Sequence, residues 1–364
     1  MGFTYSLAVV LVIFEGIIIQ CEGAPKRMQM TPNNDIEGDK PFLPNDLIEE
    51  IVSKTDFRTI HEAIRSYIVP GNSIVMSRLL QDRIINIIPG FVDNITEHYL
   101  GDDIYLIFGN YRKLELFFER FGNQVKKIEI DLDKVSDIQS EPVIQNIFKT
   151  YAKNFEELRI TTEDDEEFWE KISDAENGIT FPEVKKFLVE GRSTRAELKL
   201  NLIFPKLECF TLIGDVTDVN CLENVNGLKE LTLHTDSIEE DQLDHIFANN
   251  ENMTKICLSM ANSMETMDSI AKHLTNLKTL VVESPGENFL YRTNNNTVRK
   301  LSSVTHFHIL FDEIAEVFGI DDLELSFDMP NLKKLTLYGV QADDRIINFN
   351  TGTFTTRILW RKLY

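Results

Sequence analysis

Histidine and cysteine are the side chains best suited to acid–base, nucleophilic or metal chemistry near neutral pH, and this 364-residue chain has seven and four of them. His306 and His308 flank Phe307, a spacing that on a strand sends both to one side. They read either as a pH-sensitive or metal-binding pair or as polar residues filling exposed strand positions, with no Cys or carboxylate beside them in sequence. The cysteine spacing fits no zinc site, and His61-Glu62 lacks a second His four residues on, where Arg65 stands. The phosphate-loop, dinucleotide-fingerprint, H-E-x-x-H and G-x-S-x-G signatures are all missing. Taken jointly, these absences predict a protein that is not an enzyme and uses no cofactor or metal. The acidic run at 163–167, ahead of Phe168-Trp169, suits either docking of a basic partner or the negative first turn of a helix. Asn94, Asn252 and Asn295 head N-x-[ST] sequons and are glycosylation candidates.

The elements that must position these residues follow from a repeated phrase: an apolar residue, a second three positions later and a third two beyond that. It occurs at Val125/Ile128/Ile130, Phe155/Leu158/Ile160, Leu207/Phe210/Leu212, Leu228/Leu231/Leu233, Met253/Ile256/Leu258, Leu277/Leu280/Val282, Val304/Phe307/Ile309 and Leu332/Leu335/Leu337. The gap between Ile160 and Leu212 leaves room for another copy, with Leu198 and Leu200 as its strand. The closing alternation is a short strand, and the remaining ~20 residues return by a helix, as at 240–248 and 264–273. One such unit cannot bury its own apolar face, so neighbours must stack. The expected fold class is α/β: a leucine-rich-repeat solenoid over 123–364, with parallel strands on the concave side, helices outside and a helical N-terminal cap.

Outward strand positions then define a candidate partner-binding surface: Lys127, Glu129, Arg159, Thr211, Thr232, His234, Lys255, Val281, His306, His308, Thr336 and Tyr338. This mixture of charge, hydroxyl and aromatic groups suits a protein ligand better than a small apolar molecule.

Composition narrows the partner. Lys and Arg number 37 against 59 Asp and Glu, a net charge of −22, and no basic patch exceeds a Lys-Lys pair. Nucleic acid and anionic membrane surfaces are therefore poor partners. Apolar residues at 43% are ample for a large core. Residues 6–19 are mostly apolar and are followed by the small-residue site Cys21-Glu22-Gly23, which predicts a signal peptide over 1–23 and a secreted protein. That stretch is too short to span a bilayer as a lone helix. Residues 24–40 read as a flexible polar leader and 41–122 as helical. Cleavage would leave Cys209, Cys221 and Cys257. They allow at most one bridge, Cys209–Cys221 being nearest in sequence, and free, partly buried thiols are the alternative.

Two resemblances follow from these motifs. The repeats resemble the longer, ribonuclease-inhibitor-like or cysteine-containing classes of leucine-rich repeat, although the asparagine or cysteine that often follows the strand is mostly missing. The segment Pro41-Phe42-Leu43-Pro44-Asn45-Asp46-Leu47-Ile48-Glu49-Glu50-Ile51 is similar to the opening of an F-box. That resemblance implies Leu43, Pro44, Leu47, Ile48 and Ile51 as positions facing a Skp-type adaptor, and a substrate-receptor role in a cullin ubiquitin ligase. Its later Cys- and Trp-containing portion has no counterpart here, and a helical cap on the first repeat is the other reading. With 117–122 and 125–130, the chain resembles insect F-box/leucine-rich-repeat proteins. Copies with signal peptides look like those secreted in parasitoid wasp venom, which implies an exported venom effector.

Overall fold

The chain divides into two units, Met1–Leu79 and Leu80–Tyr364. The computed structural model describes residues 80–87, 96–101, 103–131, 141–162, 178–191, 199–214, 219–235, 238–259, 264–283, 299–315 and 327–340, all in the second unit. The proposed signal peptide, the leader, the F-box-like positions Leu43, Pro44, Leu47, Ile48 and Ile51, and the sequons at Asn94 and Asn295 lie outside them.

The fold is α/β. Its strands are β1 (Arg83–Ile87), β2 (Thr96–Leu100), β3 (Asp103–Phe108), β4 (Lys127–Asp131), β5 (Glu157–Thr162), β6 (Lys186–Gly191), β7 (Cys209–Ile213), β8 (Glu230–His234), β9 (Lys255–Ser259), β10 (Thr279–Glu283), β11 (Arg299–Lys300), β12 (His306–Ala315), β13 (Phe327–Asp328) and β14 (Lys334–Val340). Twelve form one sheet in the order β14-β12-β10-β9-β8-β7-β6-β5-β4-β1-β3-β2, while β11 and β13 pair separately. Every neighbouring pair in the large sheet is parallel except β2–β3.

The periodic apolar residues occupy one register. Ile130, Ile160, Val189, Leu212, Leu233, Leu258, Val282, Ile309 and Leu337 are partners in turn across the sheet. The row two residues earlier (Ile128, Leu158, Phe187, Phe210, Leu231, Ile256, Leu280, Phe307, Leu335) is buried throughout. Burial of each such side chain contributes about 1.5–3 kcal/mol, and no strand could bury its row without its neighbours.

Helices α1 (Tyr111–Phe121), α2 (Glu141–Tyr151), α3 (Leu200–Ile203), α4 (Glu240–Asn249) and α5 (Met264–His273) supply the crossovers. Asn110 starts α1, its side chain accepting from the N–H groups of Arg112 and Lys113. Leu114, Phe117, Phe118 and Phe121 form the buried stripe of α1, and Phe117 meets Phe108 of β3 at 4.9 Å between ring centres. A run of phenylalanines continues across successive units: Phe118–Phe155 (6.3 Å), Phe155–Phe181 (6.5 Å), Phe181–Phe204 (5.3 Å) and Phe204–Phe187 (4.4 Å).

A recurring carbonyl device ties each strand entry to the next. The carbonyl of Lys126 accepts from both Glu156 and Glu157, and the pattern repeats at Glu156, Lys185, Glu208, Lys229, Thr254, Lys278 and Thr305. Buried Asn250 closes another turn. Its Oδ1 accepts from Leu228 N–H, and its Nδ2 donates to the carbonyls of Val225 and Ile246, each at 2.9 Å. The turn it spans contains Gly227 at φ +91°, a conformation that favours glycine.

Three sequence expectations are corrected. The copy placed at Leu198 and Leu200 is instead Val184/Phe187/Val189 on β6, while Leu200 opens the short α3. Residues 83–108, expected to be helical, form β1, β2 and β3. Ile84 and Ile85 are both buried although they point to opposite faces, and a strand buried on both sides reads as a continuous apolar run that helical spacing also fits. The sheet therefore begins well before residue 123. β1 also lies between β3 and β4, so the path from β3 through α1 to β4 passes over it. Gly122 follows α1 at φ −55°, and a Cβ there would strike the Tyr151 ring.

Candidate functional site

Strand alternation leaves the other face of the sheet lined by polar and small side chains. In register across it run Glu129, Arg159, Leu188, Thr211, Thr232, Cys257, Val281, His308 and Thr336. A parallel row carries Lys127, Glu157, Lys186, Cys209, Glu230, Lys255, Thr279, His306 and Lys334. Lys127, Glu129, Arg159, Thr211, Thr232, His234, Val281, His306, His308 and Thr336 are half-buried and Lys255 is exposed. Tyr338 stands in register with Leu310. Asn252 is exposed in the turn after α4.

The face is not uniformly available. Near β4 an ion network locks Glu129 and Arg159. The Arg159 guanidinium meets Asp103 at 2.8 Å, Glu157 at 2.7 Å and the Tyr105 hydroxyl at 2.9 Å. Tyr105 donates to Glu129 at 3.3 Å, and Asn86 Nδ2 donates to its other oxygen at 2.7 Å. Burial opposes charge on Arg159, yet the Glu157 charge and the hydrogen bonds Arg159 donates to Asp103 and Glu157 outweigh it and raise its pKa. Burial pushes Tyr105 up to about 12, helped by the Glu129 charge. Burial also raises Glu129, overriding the attraction of Arg159. These contacts tie β3, β1, β4 and β5 together, although the buried Asn86 Oδ1 has no hydrogen-bond partner among the described residues.

The histidines at the other end behave differently. His306 Nδ1 lies 2.9 Å from Thr305 Oγ1. Burial, then the neighbouring Lys334, His306 and Lys255, lower the pKa of His308 and favour its neutral form. No carboxylate contact accompanies either ring among the contacts described.

Between these ends lies a group that sequence reading missed. His234 at the end of β8, Cys257 within β9 and Glu283 at the end of β10 converge on this face. His234 Nδ1 is 2.7 Å from Glu283 Oε2, and the Cys257 thiol lies 3.7 Å from Glu283 Oε1 and 4.0 Å from His234 Nε2. Burial, then the Glu283 carboxylate, push Cys257 up to about 12. The signal available in the sequence was registration alone: the residues are 23 and 26 apart, one repeat each. Cys209 and Cys221 are also free thiols. No helix among the described residues is long and apolar enough to cross a membrane.

Comparison with known proteins gives no matching family model and no matching curated protein.

Proposed function

We propose that this chain is a secreted, non-enzymatic leucine-rich-repeat solenoid that binds a protein partner through a concave face made by strands β4 to β14. The observation that carries the reading is the common register of nine consecutive parallel strands, which commits one row of side chains to the core and offers the alternate row to a ligand. Thr211 and Thr232 at the centre of that row, with Lys255 in the adjacent row, are polar, half-buried or exposed, and lie outside the Glu129–Arg159 network. Such surfaces suit an extended protein contact in which a few anchors carry most of the affinity.

The test is a matched binding comparison. Lys255→Glu with Thr232→Arg is expected to weaken capture of the partner by at least ~10-fold, whereas Glu240→Lys on the helix layer leaves it unchanged. Lys255 makes only a 3.6 Å surface pair with Glu230, so its reversal should cost little stability. Equal capture by all three proteins would sink the assignment of the face. Secretion is tested separately by sequencing the N-terminus of the protein from its native source: a start at Ala24 supports export, and a chain beginning at Met1 with Asn252 unglycosylated contradicts it.

A further inference from the structure

His234, Cys257 and Glu283 come from three adjacent strands of a rigid sheet, and one nitrogen, one sulfur and one oxygen from them lie within 4.8 Å of one another. We propose that these three side chains form a binding site for a single zinc-like divalent cation, with the fourth coordination position open on the sheet's polar face. This proposal is independent of the protein-binding reading.

The donor set selects the ion. Calcium and magnesium need six or more oxygen ligands, whereas a thiolate, an imidazole and a carboxylate together match the borderline-soft preference of zinc. Three protein ligands with an open fourth position is a known zinc arrangement. At bond lengths of about 2.0–2.3 Å, tetrahedral ligand atoms stand roughly 3.3–3.6 Å apart. The observed 3.7 and 4.0 Å sulfur separations are close to this. The 2.7 Å His234–Glu283 hydrogen bond must open to admit the ion. Rotation about the side-chain torsions of His234 and Glu283, both half-buried, supplies that movement. The backbone beneath stays fixed: the His234 carbonyl is held by Gly214 N–H at 2.8 Å, and β8, β9 and β10 are hydrogen-bonded in register.

The same three residue types also make a nucleophilic thiol with a base and an orienting carboxylate, but the surroundings disfavour that chemistry. Among the described residues, the backbone N–H groups around Cys257 are engaged in the sheet ladder and none is aimed at a developing oxyanion. The thiol is also shared between Glu283 Oε1 at 3.7 Å and His234 Nε2 at 4.0 Å, so it is not aligned on the imidazole alone. A cation resolves this arrangement by taking the place of the thiol proton, which leaves to solvent, and by neutralising the adjacent carboxylate.

Cobalt(II) titration of the full chain, freed of metal by chelator, tests the site, because a thiolate ligand gives a sulfur-to-cobalt charge-transfer band. One equivalent should bind with that band, be displaced by zinc, and behave identically in Cys209→Ser. Cys257→Ser should lose the band, and Glu283→Gln should weaken binding by more than about 100-fold, beyond the loss typical of an outer-shell contact. Absence of the band in the unmodified chain, or its persistence in Cys257→Ser, overturns the proposal. If Cys257→Ser does not fold, half-buried Glu283→Gln decides: unchanged cobalt affinity in that variant refutes the site.

Discussion

Single side chains carry two kinds of work here. Asn250 is buried with three hydrogen bonds to backbone groups, so Asn250→Ala strands the Leu228 N–H and the Val225 and Ile246 carbonyls away from water. Each orphaned group costs about 1–3 kcal/mol, and partial relaxation sets the expected loss at about 3 kcal/mol by denaturant unfolding. A change below about 1 kcal/mol would mean the turn does not depend on it. His308 makes a pH-dependent contribution. Its folded pKa lies below the ordinary 6.5, so below that pH the unfolded chain binds more protons than the fold. Stability is therefore full above about 6.5 and is lost as pH falls through the folded pKa. Unfolding midpoints measured from pH 7.5 to 5 should decline less steeply in His308→Gln than in the unmodified chain; parallel profiles would contradict the assignment. The outward side of His306, His308 and His234 could be read from alternation, because a strand fixes direction by parity. The meeting of His234 with Cys257 and Glu283 could not, since it requires knowing that the intervening loops return each strand in the same register.

Strands and turns obey a longer phrase than the one visible at first. Phe181, Phe204, Asn250, Leu274, Leu301 and Met329 each stand three residues before the apolar residue that opens a strand entry, and their carbonyls accept from Val184, Leu207, Met253, Leu277, Val304 and Leu332. For β6 the longer phrase adds a marker to one already legible: Val184/Phe187/Val189 fits the shorter phrase and Phe181 stands three residues ahead of it, whereas Leu198 and Leu200 fit neither. The phenylalanine run makes the point testable. Phe181 is fully buried between Phe155, Phe148 and Phe204, so Phe181→Ala should destabilise by about 3–5 kcal/mol in chemical unfolding. Loss of less than about 1 kcal/mol would argue that the rings do not pack as a column. Gly214 is a second probe, at φ +140° with the Gly191 carbonyl where a Cβ would sit. Gly214→Ala should cost at least about 1–3 kcal/mol of strain, read as a lowered Tm; an unchanged Tm would refute that contact. The first strand, β1, is hidden for a different reason. Ile84 and Ile85 are both buried, and burial on two faces erases the alternation that identifies a strand.

Across the whole sheet, periodic leucines, isoleucines and phenylalanines explain why parallel strands add in chain order from β4 to β14, and why the alternate rows must face away from the core. β11 and β13 stand apart as a separate pair, and β1, lodged between β3 and β4, has no periodic signature, since its position depends on a non-sequential pairing. The polar face is crowded by ion pairs at β3 to β5 and freest around β7 to β9, where the proposed protein ligand would bind. Photo-crosslinking tests that claim most directly: a photoreactive residue at Thr211 or Thr232 is compared with one at Glu240 on the helix layer, in protein incubated with its native target tissue. One shared crosslinked protein is expected from Thr211 and Thr232 and none of it from Glu240. Crosslinks to that protein from Glu240 alone would contradict that claim.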